Sequence, residues 1–399
     1  MASAPTDCKL VNNSYTFTKD EMMGHSNCLK LVDTDVDKGL EMYCYNSCNN
    51  DSSDIVKRTR GVVFKGDEVV FAGFPYVNEY VSKAENIEEL KQQIDFDNFT
   101  FFNSYEGTLI RVFHVDDKWY TTTHRKLNAF KSKWAGKNSF GECFKTGILG
   151  YDLEYEKFLD SLDKDNSYLF LVLNNIENRI VCMPPKGHSV IHVGTIKNGT
   201  LDLTDDIGIS KPEQLNFSNF DELSDYVDNI SYEEYQGVIM FDGFNQYKLI
   251  NETYHDLFKI RGNEPSIKFR YLQIRSDKNM VNDIYYLYPK FADKFDEYED
   301  TLKRLAREIN NNYVRRFIKK KYVIVPKEQY EVMKTCHTWH LQDRERNRIS
   351  LNKVENVIND QTPTSLNRMI RKFIEENKEI SEDTKLVRPR AKSDAYPCV

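Results

Sequence analysis

The chain has 399 residues, of which 40% are hydrophobic and 29% charged, with a net charge of -7. That length leaves ample chain for two domains with buried cores, and no apolar run approaches the ~18 residues of a bilayer-spanning helix. Eight cysteines without framework spacing, and a start that lacks a basic stretch followed by an apolar one, lead us to expect a reduced, cytoplasmic compartment without membrane attachment.

Aromatic residues make up 13% of the chain, including 24 Tyr and 24 Phe, which suits aromatic-rich strands. Short alternating or apolar runs predict strands at residues 60–64, 68–72, 108–113, 119–122, 168–173, 178–181 and 236–241. Residues 115–118 read as a hairpin turn, and helices are expected at 87–94, 153–162 and 221–230. Beyond Arg261 the period lengthens. Phe295, Tyr298, Leu302, Leu305, Ile309, Tyr313 and Phe317 fall at three- and four-residue steps, which predicts one long amphipathic helix. Further helical signal covers 330–333 and 354–374, with a break at Pro363, and 381–399 read as a flexible polar tail. The expected organisation is an α/β domain over 1–258, a helical domain over 259–380 and the tail.

Metal-ligand patterns are weak. His25, Cys28, Cys44 and Cys48 match no standard zinc spacing, and Cys336, His337 and His340 lack an accompanying acid, so no metal site is expected. Neither a GxxxxGK[ST] loop, a GxGxxG turn nor a GxSxG elbow occurs. What does occur is an ordered set of blocks. Arg60-Gly61 opens a strand and is followed by Ser104-Tyr105-Glu106-Gly107, Thr123-His124-Arg125-Lys126, Asn178-Arg179-Ile180-Val181, Tyr235-Gln236-Gly237-Val238 and Tyr247-Lys248-Leu249-Ile250.

This order resembles the covalent nucleotidyltransferase superfamily of RNA ligases, DNA ligases and capping guanylyltransferases, and among them the phage-type RNA ligases. The resemblance implies antiparallel sheets with flanking helices, followed here by a helical C-terminal domain. It also implies a cleft in which Arg60, Glu106, Gly107, Arg125, Arg179, Gln236 and Lys248 meet a nucleotide or an RNA end. In that family a lysine attacks the α-phosphate of ATP or GTP with magnesium present. Here Ser104 stands at the nucleophile position. Val172 and Gln236 stand where the family carries carboxylates, and Ile250 replaces the second lysine of the last motif. A serine hydroxyl without a neighbouring base is a poor nucleophile. The expectation is therefore an RNA-ligase-like pseudoenzyme that binds RNA ends or a nucleotide. One alternative is a working ligase with a displaced nucleophile such as Lys57, Lys126 or Lys131. Another is a protein-interaction scaffold.

Residues 303–321 carry eight basic side chains against Glu308 alone. Arg304, Arg307, Arg315 and Lys319 are the expected phosphate contacts if this face meets RNA, whereas the plain reading is a solvated helix face. Trp119 reads as core. Trp134, beside lysines, is the better candidate for stacking on a base, and Trp339 is a third aromatic of the same kind.

Overall fold

The computed structural model describes residues 16–85 and 87–386, with side chains through 377. It falls into two compact units, the first ending at Pro265 and the second beginning at Ser266. The first unit contains strands β1 (Leu29–Asp35), β2 (Leu40–Tyr45), β3 (Arg60–Lys65), β4 (Glu68–Phe71), β5 (Asn78–Val81), β6 (Thr100–Ser104), β7 (Gly107–Val115), β8 (Lys118–Thr122), β9 (Ser167–Leu173), β10 (Val190–Lys197), β11 (Thr200–Asp202), β12 (Gln214–Leu215), β13 (Gly237–Asp242) and β14 (Asn245–Ile250). They form three sheets, ordered β1-β2-β3-β4, β11-β10-β9-β7-β8 and β12-β6-β13-β14-β5. All the pairings are antiparallel except β14 with β5.

Strand alternation explains how the sheets find one another, because consecutive side chains point to opposite faces. On β6, Phe102 joins a buried cluster with Phe241, Phe71, Phe113 and Leu169, which draws on all three sheets. Its neighbour Phe101 points the other way, into a cluster with Leu90, Leu223 and Val227. Those three belong to the helices Ile87–Gln93 and Phe220–Asn229. On β7 the same alternation sends Phe113 inward and Val112 outward, where Phe144, Ile148 and Phe158 cover it from the helices Phe140–Leu149 and Tyr155–Ser161. Two sheets thus turn their inner faces toward each other, and helices close their outer faces.

The second unit is helical, with helices at Ile267–Ile274, Lys278–Leu287, Ala292–Tyr313, Lys327–Gln342, Leu351–Asn359 and Pro363–Leu386. The stripe read from the sequence is the buried one: Phe295, Tyr298, Leu302, Leu305, Ile309 and Tyr313 are all inside. Arg304, Arg307, Arg315 and Lys319 are exposed. Glu299 accepts from both Nε and Nη2 of Arg275 at 2.8 Å, which fastens the long helix to its neighbour. No helix among the described residues is long and apolar enough to cross a membrane.

The mixed α/β class with antiparallel sheets and C-terminal helices matches the sequence reading, whereas several details differ. The long helix ends as an α-helix at Tyr313 and continues as a π-helical turn over Val314–Ile318, where Phe317 is half-buried and stacks on His337 at 4.1 Å. The expected domain boundary at 258 falls inside a helix, Glu252–Arg261, and the units part after it. The last helix runs to Leu386, into the segment read as tail, and residues 387–399 lie outside the described residues. Residues 178–181 are not a strand, for a reason given by the site below.

Because Leu305 is fully buried, Leu305→Ala should cost about 2–5 kcal/mol in denaturant unfolding. Arg307→Glu, on the exposed face of the same helix, should stay within about 0.5 kcal/mol.

Candidate functional site

The inner faces of the two large sheets leave a cleft. Leu109, Leu171, Ile191 and Val193 line one wall, and Phe102, Ile239 and Phe241 the other. Of the resembled motifs, Arg60, Ser104, Tyr105, Gly107, Gln236 and Lys248 line it, and Asn103 and Gln246 add further polar groups.

Sheet register brings these residues together. Ser104 pairs with Gly237 across β6 and β13, and Lys248 pairs with Glu79 across β14 and β5. The result is a hydrogen-bonded row over four adjacent strands. Gln236 Oε1 accepts from Ser104 Oγ at 3.3 Å and from Lys248 Nζ at 2.8 Å. Lys248 Nζ also reaches Glu79 Oε1 at 3.3 Å. Gly237, at φ +146°, sets the entry of β13 beside this row. A Cβ there would lie 2.0 Å from the Leu249 carbonyl oxygen, so no side chain fits.

Glu106 faces away from this row. Its carboxylate is 4% exposed and accepts five hydrogen bonds. Three come from the backbone N–H groups of Ile180, Val181 and Cys182 at 2.6, 2.8 and 3.1 Å. Asn174 Nδ2 and the Tyr254 hydroxyl supply the other two. This is why residues 178–181 form a loop: their donors are turned onto a carboxylate instead of a neighbouring strand. The five donors take up the acceptor capacity of Glu106, so its role is to hold the turn between β6 and β7, and it offers a ligand little.

The other expected residues are distributed as follows. Arg179 does not line the cleft; its Nη2 donates to the Val181 carbonyl at 2.9 Å within the loop that Glu106 clamps. Arg125 is likewise off the cleft lining and donates to the carbonyls of Tyr45 and Asn46. Val172 is buried in the apolar cluster beneath the Phe140–Leu149 helix, and Ile250 is also buried. Of the lysines considered as displaced nucleophiles, none lines the cleft, and Lys126 pairs with Asp33 at 3.4 Å. The Trp134 ring is covered by the Arg261 guanidinium at 4.8 Å, and the Trp339 ring by Lys353 Nζ at 4.3 Å. Trp119 packs against the core. Among the described residues, no group of three or more His, Cys, Asp or Glu is arranged to hold a metal ion.

The sequence reading missed Arg111. It is fully buried in the middle of β7, and its Nη2 donates to the Arg60 carbonyl at 2.7 Å. A charge inside the apolar run Leu109-Ile110-Arg111-Val112-Phe113 was the available signal.

No family model matches the chain. In sequence it is similar to the "Immediate-early protein ICP-46 homolog" of Invertebrate iridescent virus 6, 29% identical over 84% of this chain and 81% of the relative. The protein of the same description from Invertebrate iridescent virus 3 is 30% identical over 66% of this chain and 61% of its own length. Immediate-early protein ICP-46 of Frog virus 3 is 26% identical over 60% of this chain and 64% of its own. Among solved structures it is similar to an archaeal ATP-dependent RNA ligase, with 14% identity, a TM-score of 0.39 and coverage of 67% of this chain and 70% of that one. It is also similar to a Naegleria gruberi RNA ligase variant with ATP and manganese, at 12% identity, TM-score 0.32 and 43% and 55% coverage. Likenesses this loose do not define a shared fold.

Glu106→Gln keeps the shape of the side chain but sets an NH2 against backbone donors. At least one buried N–H then loses its acceptor, at about 1–3 kcal/mol. The expected outcome is a lower midpoint in urea unfolding, with the loop at 178–182 exchanging its amide hydrogens faster. An unchanged midpoint would show that the carboxylate does not hold the loop.

Proposed function

We propose that this chain is a nucleotidyltransferase-like protein whose cleft binds a nucleotide or an RNA end and no longer transfers a nucleotidyl group. The observation that carries the reading is the row Ser104–Gln236–Lys248. Three positions of the resembled family motifs, spread over more than a hundred residues of sequence, meet in one cleft, two of them with the family's charged group replaced, by Ser104 and Gln236, and the third with its lysine, Lys248, kept. The ordered blocks supply the family resemblance, and the cleft geometry supplies the chemistry.

Binding and transfer ask for different groups. Arg60 and Lys248 are cations at the cleft wall, suited to phosphate oxygens. The lining contains no Asp or Glu. Gln236 offers a neutral amide oxygen where the family has a carboxylate, and Val172 offers none. The residues at these positions therefore do not fit a divalent ion. Ser104 Oγ is itself a donor to Gln236, with no histidine within its hydrogen bonds. ATP or GTP remains the natural probe, since the resemblance does not choose between them.

For the second unit we infer a solvated basic face that meets RNA phosphates through Arg304, Arg307, Arg315 and Lys319. Support comes from their exposure on the side opposite the buried stripe. A protein partner at either unit is the competing reading.

Arg60→Ala or Lys248→Ala should weaken ATP, GTP or 5′-phosphorylated RNA binding by about 1.5–3 kcal/mol in titration calorimetry, the usual worth of a charge-assisted hydrogen bond. Incubation with α-labelled ATP or GTP and magnesium or manganese should leave no labelled protein on a denaturing gel. A hydroxylamine-resistant band would restore the active-ligase reading. In the second unit, RNA affinity should fall with salt at a log–log slope of about -0.7 per phosphate neutralised, and Arg315→Glu with Lys319→Glu should flatten it by roughly one to two. An unchanged slope in the folded double variant would leave the helix as a solvated face.

A further inference from the structure

Behind the Arg60 end of the cleft lies a group of cations, of which Arg60 and Arg125 belong to the resembled motifs and Arg111 to none. Leu109 lines the cleft, and Arg111, two residues further along β7, lies on the same face of the strand. Arg111 has 0% exposure, yet its Nε and Nη1 have no hydrogen-bond partner, and Arg60 Nε is likewise buried and unpartnered. The bonds the three nearby guanidiniums do make go to neutral carbonyls. Arg111 Nη2 donates to Arg60 O at 2.7 Å, Arg60 Nη1 to Pro75 O at 2.9 Å, and Arg125 Nη2 to Tyr45 O at 3.2 Å. None of the three forms an ion pair among the described residues.

This is a costly arrangement to keep without a counter-charge. Burial, followed by the charge of Arg60, holds the Arg111 guanidinium down to about 9. Burial, then Arg111, Arg60 and Arg125, pushes the neighbouring His124 imidazole down to about 2, so His124 is neutral and adds no charge. The chain has also made room for the buried arginine. At Gly61, φ +72°, a Cβ would lie 2.2 Å from Arg111 Nη1 and 2.7 Å from His124 Cα. Glycine is the residue that tolerates both the dihedral and the approach.

We propose that Arg60, Arg111 and Arg125 form a receptor for a 5′-polyphosphate, with Arg111 as its buried floor. The inference rests on the reading of the cleft as a nucleotide or RNA-end site, and specifies which end of the ligand lies where. The phosphate chain runs toward Arg60 and Arg111, past the Ser104–Gln236–Lys248 row. A mononucleotide triphosphate and a triphosphorylated RNA end share this chemistry.

The test uses the full-length chain with inorganic tripolyphosphate, ATP, adenosine, and one oligoribonucleotide ending in 5′-triphosphate, 5′-monophosphate or 5′-hydroxyl. Tripolyphosphate should raise the Tm of the wild type and compete with ATP. ATP should bind at least about tenfold more tightly than adenosine, and Arg111→Met should reduce that preference about ten- to hundred-fold. Arg111→Met should melt, without ligand, at or above the wild-type temperature, because it removes an uncompensated buried charge. Should that variant fail to fold, Arg60→Gln, at the half-buried cleft edge, is expected to lose the same preference. Whichever of ATP and triphosphorylated RNA binds more tightly identifies the source of the polyphosphate. Wild type and Arg111→Met discriminating equally between ATP and adenosine would overturn the receptor while leaving the cleft reading intact. Arg60→Gln discriminating as the wild type does, or a wild type that binds adenosine and ATP equally, would overturn the receptor together with the phosphate role given to Arg60 in the cleft. A wild type that binds none of these ligands would overturn the cleft reading and the receptor with it.

Discussion

The first unit depends on one buried carboxylate. Glu106 sits at the turn from β6 to β7, the strands that begin the two facing walls of the cleft, and it ties that turn to the loop at 174–182 and to Tyr254. Burying a carboxylate without partners would cost far more than any domain's net stability. Five donors, three of them backbone N–H groups, offset that cost and also fix where the loop must lie. Ser104 and Gly107, on either side, are then set at the cleft floor. The acid of the Ser-Tyr-Glu-Gly block thus serves the architecture of the turn.

Once the walls are fixed, the cleft chemistry follows from what faces inward. With an amide at Gln236, Lys248 has a neutral partner inside the cleft and a charged one, Glu79, at its edge. The inner lining carries only positive charge. A site of this kind attracts and orients an anion. It lacks the paired carboxylates that would position a metal, and its serine lacks a base. On the reading proposed here, the substitutions leave groups suited to binding and remove those that bond-making needs.

How much of this was legible in the sequence depended on the range of the interaction. Period-two and period-3.6 patterns located six of the fourteen strands among the described residues and the stripe of the long helix, because burial of one face is written locally. Ser104, Gln236 and Lys248 could be aligned with a family order, and register brought them together. Residues 178–181 look like a strand because Ile180 and Val181 are β-formers, and only the distant Glu106 makes them a loop. Arg179 faces its own Val181 carbonyl for the same reason: the clamped loop directs its backbone. Trp134 looked accessible beside lysines, yet Arg261, far along the chain, covers its ring. The loop at 178–181 and the covering of Trp134 both depend on residues distant in sequence.

The buried arginines themselves show why Arg111 stands apart. Arg275 meets the Glu299 carboxylate through two donors at 2.8 Å, so its charge is neutralised where it lies. Arg261, as deeply buried as Arg111, lies over the Trp134 ring and donates from Nη1 and Nη2 to the carbonyls of Glu264 and Pro265, so both its terminal nitrogens and its π-face are engaged. Arg111 has a single carbonyl, and its nearest charged neighbour named above is another arginine. A core selected for stability alone would place an apolar side chain of similar volume at this strand position, since replacing buried charges with well-packed hydrophobic groups is often stabilising by about 1–4 kcal/mol. The strand forgoes that gain, and Gly61 gives up its side chain to let the guanidinium in. Stability sacrificed next to a cleft is the ordinary mark of a group kept for what it binds. The sign of the Arg111→Met stability change therefore separates a residue held for a ligand from one held for the fold.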